Sequence, residues 1–219
     1  MARPYFRDWN NLRFHEGKTF VSPPRAFRRD VSLYFPNLRG RTLERGISAA
    51  EATRDTTPTL RGKVSVVSVF SGLWGEGQAD SFASAAANPA LDAALAASAG
   101  RAQRVWINVE EDPFKRLLIR LFIGRVRRRV GEDAWARYFV VRRGITDHIR
   151  ESLGYLNSRV GYTYLLDGEC RIRWAGSGAS EEHERDGLVK GVQRLLDEEQ
   201  KMEKTAPKIA PKSGEGVPK

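Results

Sequence analysis

The residues best placed for chemistry lie in the turn SGLWGEGQ (71–78), which follows the apolar stretch VSVVSVF (64–70). A thiol at such a strand-to-helix turn is activated, because the positive end of the helix dipole stabilises a thiolate. The two positions three residues apart where a cysteine pair would stand hold Gly75 and Gln78, next to Trp74. Dithiol chemistry at this turn is therefore excluded. Trp74 and its neighbouring glycines form part of a binding surface or close the fold, and we favour the second interpretation.

The other reactive side chains do not form a catalytic set. Cys170 is the only cysteine, so an intrachain disulfide and a cysteine-based metal cluster are both excluded, and we interpret it as a small core or edge residue. The acidic run 110–112 is interpreted as a solvated loop, with Asp112 capping the next helix rather than binding a metal. The histidines are scattered along the chain, at His15, His148 and His183. We expect no catalytic residue, no metal and no cofactor, and hence no enzyme.

The overall charge indicates an anionic partner. Lysine and arginine outnumber aspartate and glutamate by 37 to 27, which gives a formal charge of +10. A surface this basic favours nucleic acid, an anionic membrane surface or an acidic protein, and charge alone does not choose among them. No apolar run reaches the roughly 18–20 residues that a membrane-spanning helix needs, and MARPYFRDWN lacks the apolar region of a signal peptide.

The elements that would position any site alternate between strand and helix. The β-branched run 63–70 has the composition of a buried parallel strand, and Asp167-Gly168 predicts a hairpin near the end of the domain. The predicted strands are 63–70, 103–109, 137–142, 161–166 and 170–175. The predicted helices are 75–87, a second one ending near Ala99, 113–130, 147–153 between Thr146 and Gly154, and a last one capped by Ser180. This order predicts an α/β fold with a thioredoxin-like mixed sheet flanked by helices.

Three regions follow from composition. Residues 1–58 are rich in aromatics and arginine without helix or strand periodicity, so we expect an extended segment docked on the domain or on a partner. Residues 59–200 form the predicted thioredoxin-like domain. Residues 201–219, rich in proline and lysine, are expected to be disordered.

The long helix over 114–130, FKRLLIRLFIGRVRRRV, is here called the basic helix. One apolar strip suffices to pack it on the sheet, and a second strip lies among seven basic residues without an acid. Such helices suit anionic membranes or grooves between helices, although the second strip could instead pack under the N-terminal segment. The residues inferred to contact a hydrophobic partner and lipid phosphates are Arg116, Ile119, Arg120, Ile123, Arg125, Val126, Arg127, Arg128 and Arg129.

Several long motifs carry a family resemblance. They are PYFRDWNNLRFHEGKTFVSPPRAF from Pro4, LYFPNL, DTTPTLRGKVSVVSVFSGLW, INVEED, LIRLFIG, YFVVRRGITDHIRESLGYLNSRVGYTYLLD, CRIRWAGSG and LVKGVQRLL. Together these motifs resemble the mitochondrial ATP synthase assembly-factor family that escorts subunit 6 (subunit a) of the membrane sector, fungal members above all. The resemblance covers about residues 4–196. It assigns no binding residues.

The resemblance implies a non-enzymatic chaperone, peripheral on the matrix side of the mitochondrial inner membrane. Its implied partner is newly made subunit 6, which it helps to join the ring of subunit 9, and an anionic inner-membrane surface is a further candidate partner. Family members carry a transit segment before the PYFR motif, and no transit peptide is visible in this chain. Two alternatives remain at this point: a redox-inactive RNA- or ribosome-binding matrix protein, and a thiol enzyme that uses Cys170 alone. Nucleic acid is not expected as a partner.

Overall fold

The computed structural model of the protein describes residues 18–110 and 123–205. These residues contain seven strands and five α-helices that are labelled here. The strands are β1 (Arg39–Thr42), β2 (Thr53–Asp55), β3 (Val64–Phe70), β4 (Ala102–Val109), β5 (Tyr138–Val141), β6 (Tyr162–Leu166) and β7 (Ile172–Ser177). The helices are α1 (Thr57–Leu60), α2 (Gly72–Ala83), α3 (Pro89–Ala97), α4 (Asp147–Leu153) and α5 (Glu182–Thr205). Residues 123–130 of the basic helix are also helical.

The seven strands form one mixed sheet in the order β2-β1-β5-β4-β3-β6-β7. The three central strands β5, β4 and β3 are parallel, while the β6–β7 hairpin and the β1–β2 pair run antiparallel at the two edges. The predicted α/β fold with a mixed sheet flanked by helices is therefore confirmed. The helices between parallel neighbours are the crossover connections that such strands require.

Both faces of the sheet are covered. Every residue of β3 is buried, which explains why its sequence is apolar without alternation. On one face, Val64 and Val66 pack with residues of α2, α3 and α5. On the other face, Val67 and Val69 pack with Phe35 and other residues of the N-terminal part of the chain.

The short helix α4 has the ends that the sequence predicts. The Thr146 side chain accepts a hydrogen bond from the backbone N–H of Ile149, and Gly154 ends the helix with a left-handed φ of 65°. The hairpin between β6 and β7 is likewise confirmed. Within residues 18–110 and 123–205, none of the helices combines the length and the apolar character that a membrane crossing requires.

The sheet begins earlier than residue 59, the predicted start of the domain. Strand β1 pairs with β5 and β2 pairs with β1, so residues 39–55 extend the sheet by two strands. The short segments RGRT and TRD carry no apolar alternation, because β1 is stabilised by hydrogen bonds to β5 rather than by its own pattern. Residues 1–17 lie outside the described residues.

Three further boundaries differ from the sequence expectations. Cys170 lies in the hairpin turn with a φ of 64°, because the turn extends to it and β7 begins only at Ile172. Helix α5 continues to Thr205, so residues 201–205 are helical, while residues 206–219 of the predicted disordered tail lie outside the described residues. Ser180 does not cap α5, because the helix begins at Glu182 and the residue before it is Glu181, whose carbonyl accepts from the backbone N–H of Arg185.

Candidate functional site

The turn that lacks redox residues is closed by backbone contact. Helix α2 starts directly after β3, and its Gly75 lies against Gly161, the residue before β6. A Cβ added to Gly161 would lie 2.0 Å from the carbonyl oxygen of Gly75. The side-chain oxygen of Gln78 accepts a hydrogen bond of 2.9 Å from the Gly161 N–H. The two positions of a would-be cysteine pair thus hold the loop before β6 in place.

The same turn exposes an apolar surface. Leu73 and Trp74, at the start of α2, are 83% and 62% exposed. The structure therefore differs from our interpretation of Trp74 as a residue that closes the fold. Gly75 and Gln78 make the closing contacts, whereas Trp74 points away from the core. Two adjacent large apolar side chains this exposed form a candidate binding surface, here called the Leu-Trp surface.

Behind this turn, α2 carries the buried Glu76 and the half-buried Asp80, both close to Arg129 of the basic helix. Glu76 pairs with Arg129. Burial raises the pKa of both the Glu76 and Asp80 carboxyls, although Arg129 opposes the shift in each case. These groups line an open cleft of about 530 Å³, together with Arg104 and Arg137. A cleft with this many charged groups does not suit a hydrophobic partner.

The described end of the basic helix packs on its own domain. Ile123 and Val126 are half-buried against an apolar cluster that includes Leu43 and Phe70. Substituting Ile123 or Val126 would thus remove contacts with the domain core. Their proposed contact with a hydrophobic partner stays a prediction. Arg116, Ile119 and Arg120 lie outside the described residues.

The arginines of the basic helix divide into internal and outward-facing groups. Arg127 donates from Nε to the carbonyl of Leu43 at 2.7 Å and from Nη2 to that of Glu44 at 3.2 Å. Arg129 is engaged with Glu76 as described above. Arg125 and Arg128 are exposed. Arg129 is exposed as well although it is paired, so a partner could reach Arg125, Arg128 and Arg129 on the described part of this helix.

Sequence reasoning missed the surroundings of Arg127. Arg41 on β1 and Arg45 in the following loop lie close enough to lower the pKa of Arg127, after the larger effect of burial. The guanidiniums of Arg45 and Arg127 lie over the ring of Trp135, at 5.4 and 5.7 Å from its centroid. No spacing rule could have found this group, because Arg41 and Arg45 precede Arg127 and Trp135 by more than eighty residues.

The described cysteine and histidine side chains lie on different elements and do not form a common site. Cys170 is 6% exposed, and burial followed by the nearby Asp167 raises the pKa of its thiol. His148 and His183 are exposed on α4 and α5, and His15 lies outside the described residues. Within the described ranges no cluster of metal-ligating side chains occurs. Glu110 of the acidic run is 2% exposed rather than solvated, because it ends a buried strand, while residues 111 and 112 fall outside those ranges.

We expect the thiol of Cys170 to be unreactive in the folded protein. Because only the thiolate attacks, burial and a raised pKa should slow its reaction with an aromatic disulfide reagent at neutral pH by at least about tenfold relative to the unfolded chain. The measurement is the rate of thiol labelling with and without denaturant. Equal rates in the two states would show that Cys170 is an accessible nucleophile.

Comparisons with known proteins agree with the residue motifs. A sequence profile of the family described as ATP10 protein matches residues 1–195. The Eremothecium gossypii protein named mitochondrial ATPase complex subunit ATP10 is 36% identical over 191 residues, covering 85% of this chain and 67% of its own length. The Saccharomyces cerevisiae protein of the same name is 28% identical over 189 residues, covering 82% and 66%. The chain thus spans about two thirds of the length of these relatives.

Among solved structures, a secreted thiol-disulfide isomerase from Corynebacterium glutamicum is similar with a TM-score of 0.49 and 14% sequence identity, over 81% of this chain and 93% of that protein. A likeness this distant says nothing about activity. The match of the family profile over residues 1–195, together with the identity to the Eremothecium protein, does establish kinship. The chain belongs to the ATP10 protein family.

Proposed function

We propose that the protein is a mitochondrial chaperone that assists assembly of the ATP synthase membrane sector, binding newly made subunit 6 and promoting its joining to the subunit 9 ring. The observation that carries this proposal is the family match over residues 1–195. Relatives that match most of the chain are named mitochondrial ATPase complex subunits, which supports a role in assembly of that mitochondrial complex. The two specific steps, binding of subunit 6 and its joining to the subunit 9 ring, are proposed from the family resemblance of the motifs.

The protein acts without catalysis in this proposal. Gly75 and Gln78 occupy the positions of a dithiol and instead hold the loop at Gly161. Cys170 is buried with a raised pKa, which disfavours a single-thiol mechanism. A Cys170→Ser variant that fully supports ATP synthase assembly would eliminate the thiol-enzyme alternative.

The client contact in this proposal is the Leu-Trp surface rather than the strip on the basic helix. A membrane subunit that is not yet inserted presents apolar helix faces, and exposed Leu and Trp side chains suit such a partner. Trp74 and Leu73 are largely exposed, whereas Ile123 and Val126 contact the domain core. The protein would lie peripherally on the matrix side of the inner membrane, where newly made subunit 6 is inserted.

The combined variant Leu73→Ser/Trp74→Ser should lower recovery of subunit 6 by about tenfold or more, because interfaces concentrate binding energy in a few apolar anchors. Its midpoint of thermal unfolding should stay close to that of the wild type, since both side chains are exposed. The measurement is the amount of subunit 6 that copurifies from mitochondria pulse-labelled for organellar translation. Leu156→Ser is the matched control, because Leu156 is 65% exposed outside the Leu-Trp surface.

Recovery that falls equally in the Leu156→Ser control would mean that general surface hydrophobicity, and not the Leu-Trp surface, determines binding. The wild-type arm of the same experiment tests the function itself. Selective recovery of subunit 6, declining as assembly proceeds, supports the chaperone. Recovery of every nascent product, or of ribosomal RNA with a steep salt dependence, would instead support an RNA- or ribosome-binding protein.

A further inference from the structure

Three arginines from two distant segments of the chain lie close together. They are Arg41, Arg45 and Arg127, here called the arginine cluster. Arg41 pairs in register with Val140 of β5, so its side chain emerges on the face where the basic helix packs. Arg45 follows in an exposed loop, and Arg127 is anchored by the carbonyls of Leu43 and Glu44.

This arrangement brings like charges together without neutralising them. Within the described residues no carboxylate pairs with a member of the arginine cluster, and Glu44 of the same loop pairs with Arg54 instead. The Nε of Arg41 is a buried donor without a hydrogen-bond partner in the described part of the chain. After burial, Arg45 and Arg41 are what lowers the pKa of Arg127. The repulsion among these like charges costs free energy that a bound anion would recover.

We propose that the arginine cluster binds the phosphate of an anionic phospholipid headgroup. A guanidinium donates paired N–H groups to phosphate oxygens, and no carboxylate in the described part of the chain competes for the guanidiniums of the cluster. Binding would neutralise the mutual repulsion of the three side chains.

A lipid fits the surroundings better than a nucleic acid does. Trp135 is half-buried and already covered by Arg45 and Arg127, so it offers no free face for base stacking. Ile47, in the same loop as Arg45, is 38% exposed, and an apolar side chain beside arginines suits the membrane interface. The choice of a membrane as the source of the phosphate rests on the proposed function, whereas the phosphate chemistry stands on the cluster alone.

The test compares vesicle binding by the purified full chain and by Arg41→Gln/Arg45→Gln. Arg127 stays unchanged because it anchors the loop. The control is Arg28→Gln/Arg194→Gln, which removes two exposed arginines elsewhere and hence the same net charge. Wild-type protein should bind phosphatidylcholine vesicles that contain phosphatidylglycerol and should not bind phosphatidylcholine alone. The cluster variant should bind about 30-fold more weakly, and the control should fall by a few-fold at most.

Equal losses in both variants, or no loss in the cluster variant, would overturn the site. Titrations with inorganic phosphate and glycerol 3-phosphate distinguish the source of the ligand: tight binding of these soluble anions without vesicle binding would overturn the lipid assignment. So would cluster-dependent binding of RNA in place of vesicles. Because these assays contain no ATP synthase subunit, their failure leaves recovery of subunit 6 intact, while failure of the proposed function appears only in that recovery.

Discussion

Gly161→Ala should destabilise the protein by about 3 kcal/mol or more, because the added Cβ would lie 2.0 Å from the carbonyl oxygen of Gly75 and 2.9 Å from the backbone N of Ala79. The φ of Gly161 is not in the left-handed region, so the cost comes from the clash rather than from backbone strain. Relieving the clash would separate the loop before β6 from α2 and break the hydrogen bond to Gln78. No flexible side chain is available to move aside.

The measurement is thermal and urea unfolding, where a loss of this size lowers the melting temperature by about 6–12 °C. Gly77→Ala is the control, since it makes the same chemical change two residues beyond Gly75 on the exposed side of α2. Nothing lies within 4 Å of a Cβ at Gly77, so this variant should be unchanged or more stable by up to about 1 kcal/mol. If Gly161→Ala were as stable as Gly77→Ala, the close approach of α2 to this loop would not exist in solution.

Glu184→Ala should cost about 3–5 kcal/mol and should release the N-terminal residues that cross the start of α5. Glu184 is 1% exposed, and its carboxylate accepts hydrogen bonds from Lys18 Nζ at 2.6 Å, from Ser22 N at 3.1 Å and from Glu181 N at 2.9 Å. Removing it leaves these donors without their acceptor.

The contribution of Glu184 depends on pH with a defined sign. Burial would raise the pKa of Glu184, but the hydrogen bonds from Lys18, Glu181 and Ser22 outweigh it and hold the pKa below the usual value of a glutamate. A depressed folded pKa gives stability that is fully present above the unfolded value and is lost as pH falls through the folded value. The stability difference between wild type and Glu184→Ala should therefore be constant near neutral pH and shrink below about pH 4.5.

Release of the N-terminal segment provides a second measurement for the Glu184 prediction. The backbone N–H groups of Thr19 and Phe20 donate to Ser177 Oγ, each at 3.0 Å, so their exchange with solvent should accelerate in the variant. Glu182→Ala is the control, because Glu182 lies in the same first turn of α5 and is exposed. Similar losses of stability in both variants would mean that the helix dipole, and not the buried carboxylate, accounts for the effect.

The local signals in the sequence were sufficient for most of the elements. The apolar run at β3, the Thr146 cap with Gly154 and the Asp167-Gly168 hairpin each determine structure through nearest neighbours, and the structure contains all three. Strand β1 was not foreseen, since it joins the sheet through β5, almost a hundred residues later, and its other neighbour β2 is only three residues long. The end of α5 was also missed, because a lysine-rich composition suits both a solvated helix and a disordered tail.

For the candidate site, too, some features follow from the sequence and others only from the tertiary structure. The sequence by itself determined the family, through long motifs, and the absence of a dithiol at Gly75 and Gln78, because residue identity alone excludes that chemistry. Only the tertiary structure decided that Trp74 is exposed while Val126 packs inward, since helical spacing does not say which of two apolar strips meets the core. Only the tertiary structure shows that Arg41 and Arg45 lie near Arg127. Contacts between such distant segments depend on the order of the strands in the sheet and not on any local sequence pattern.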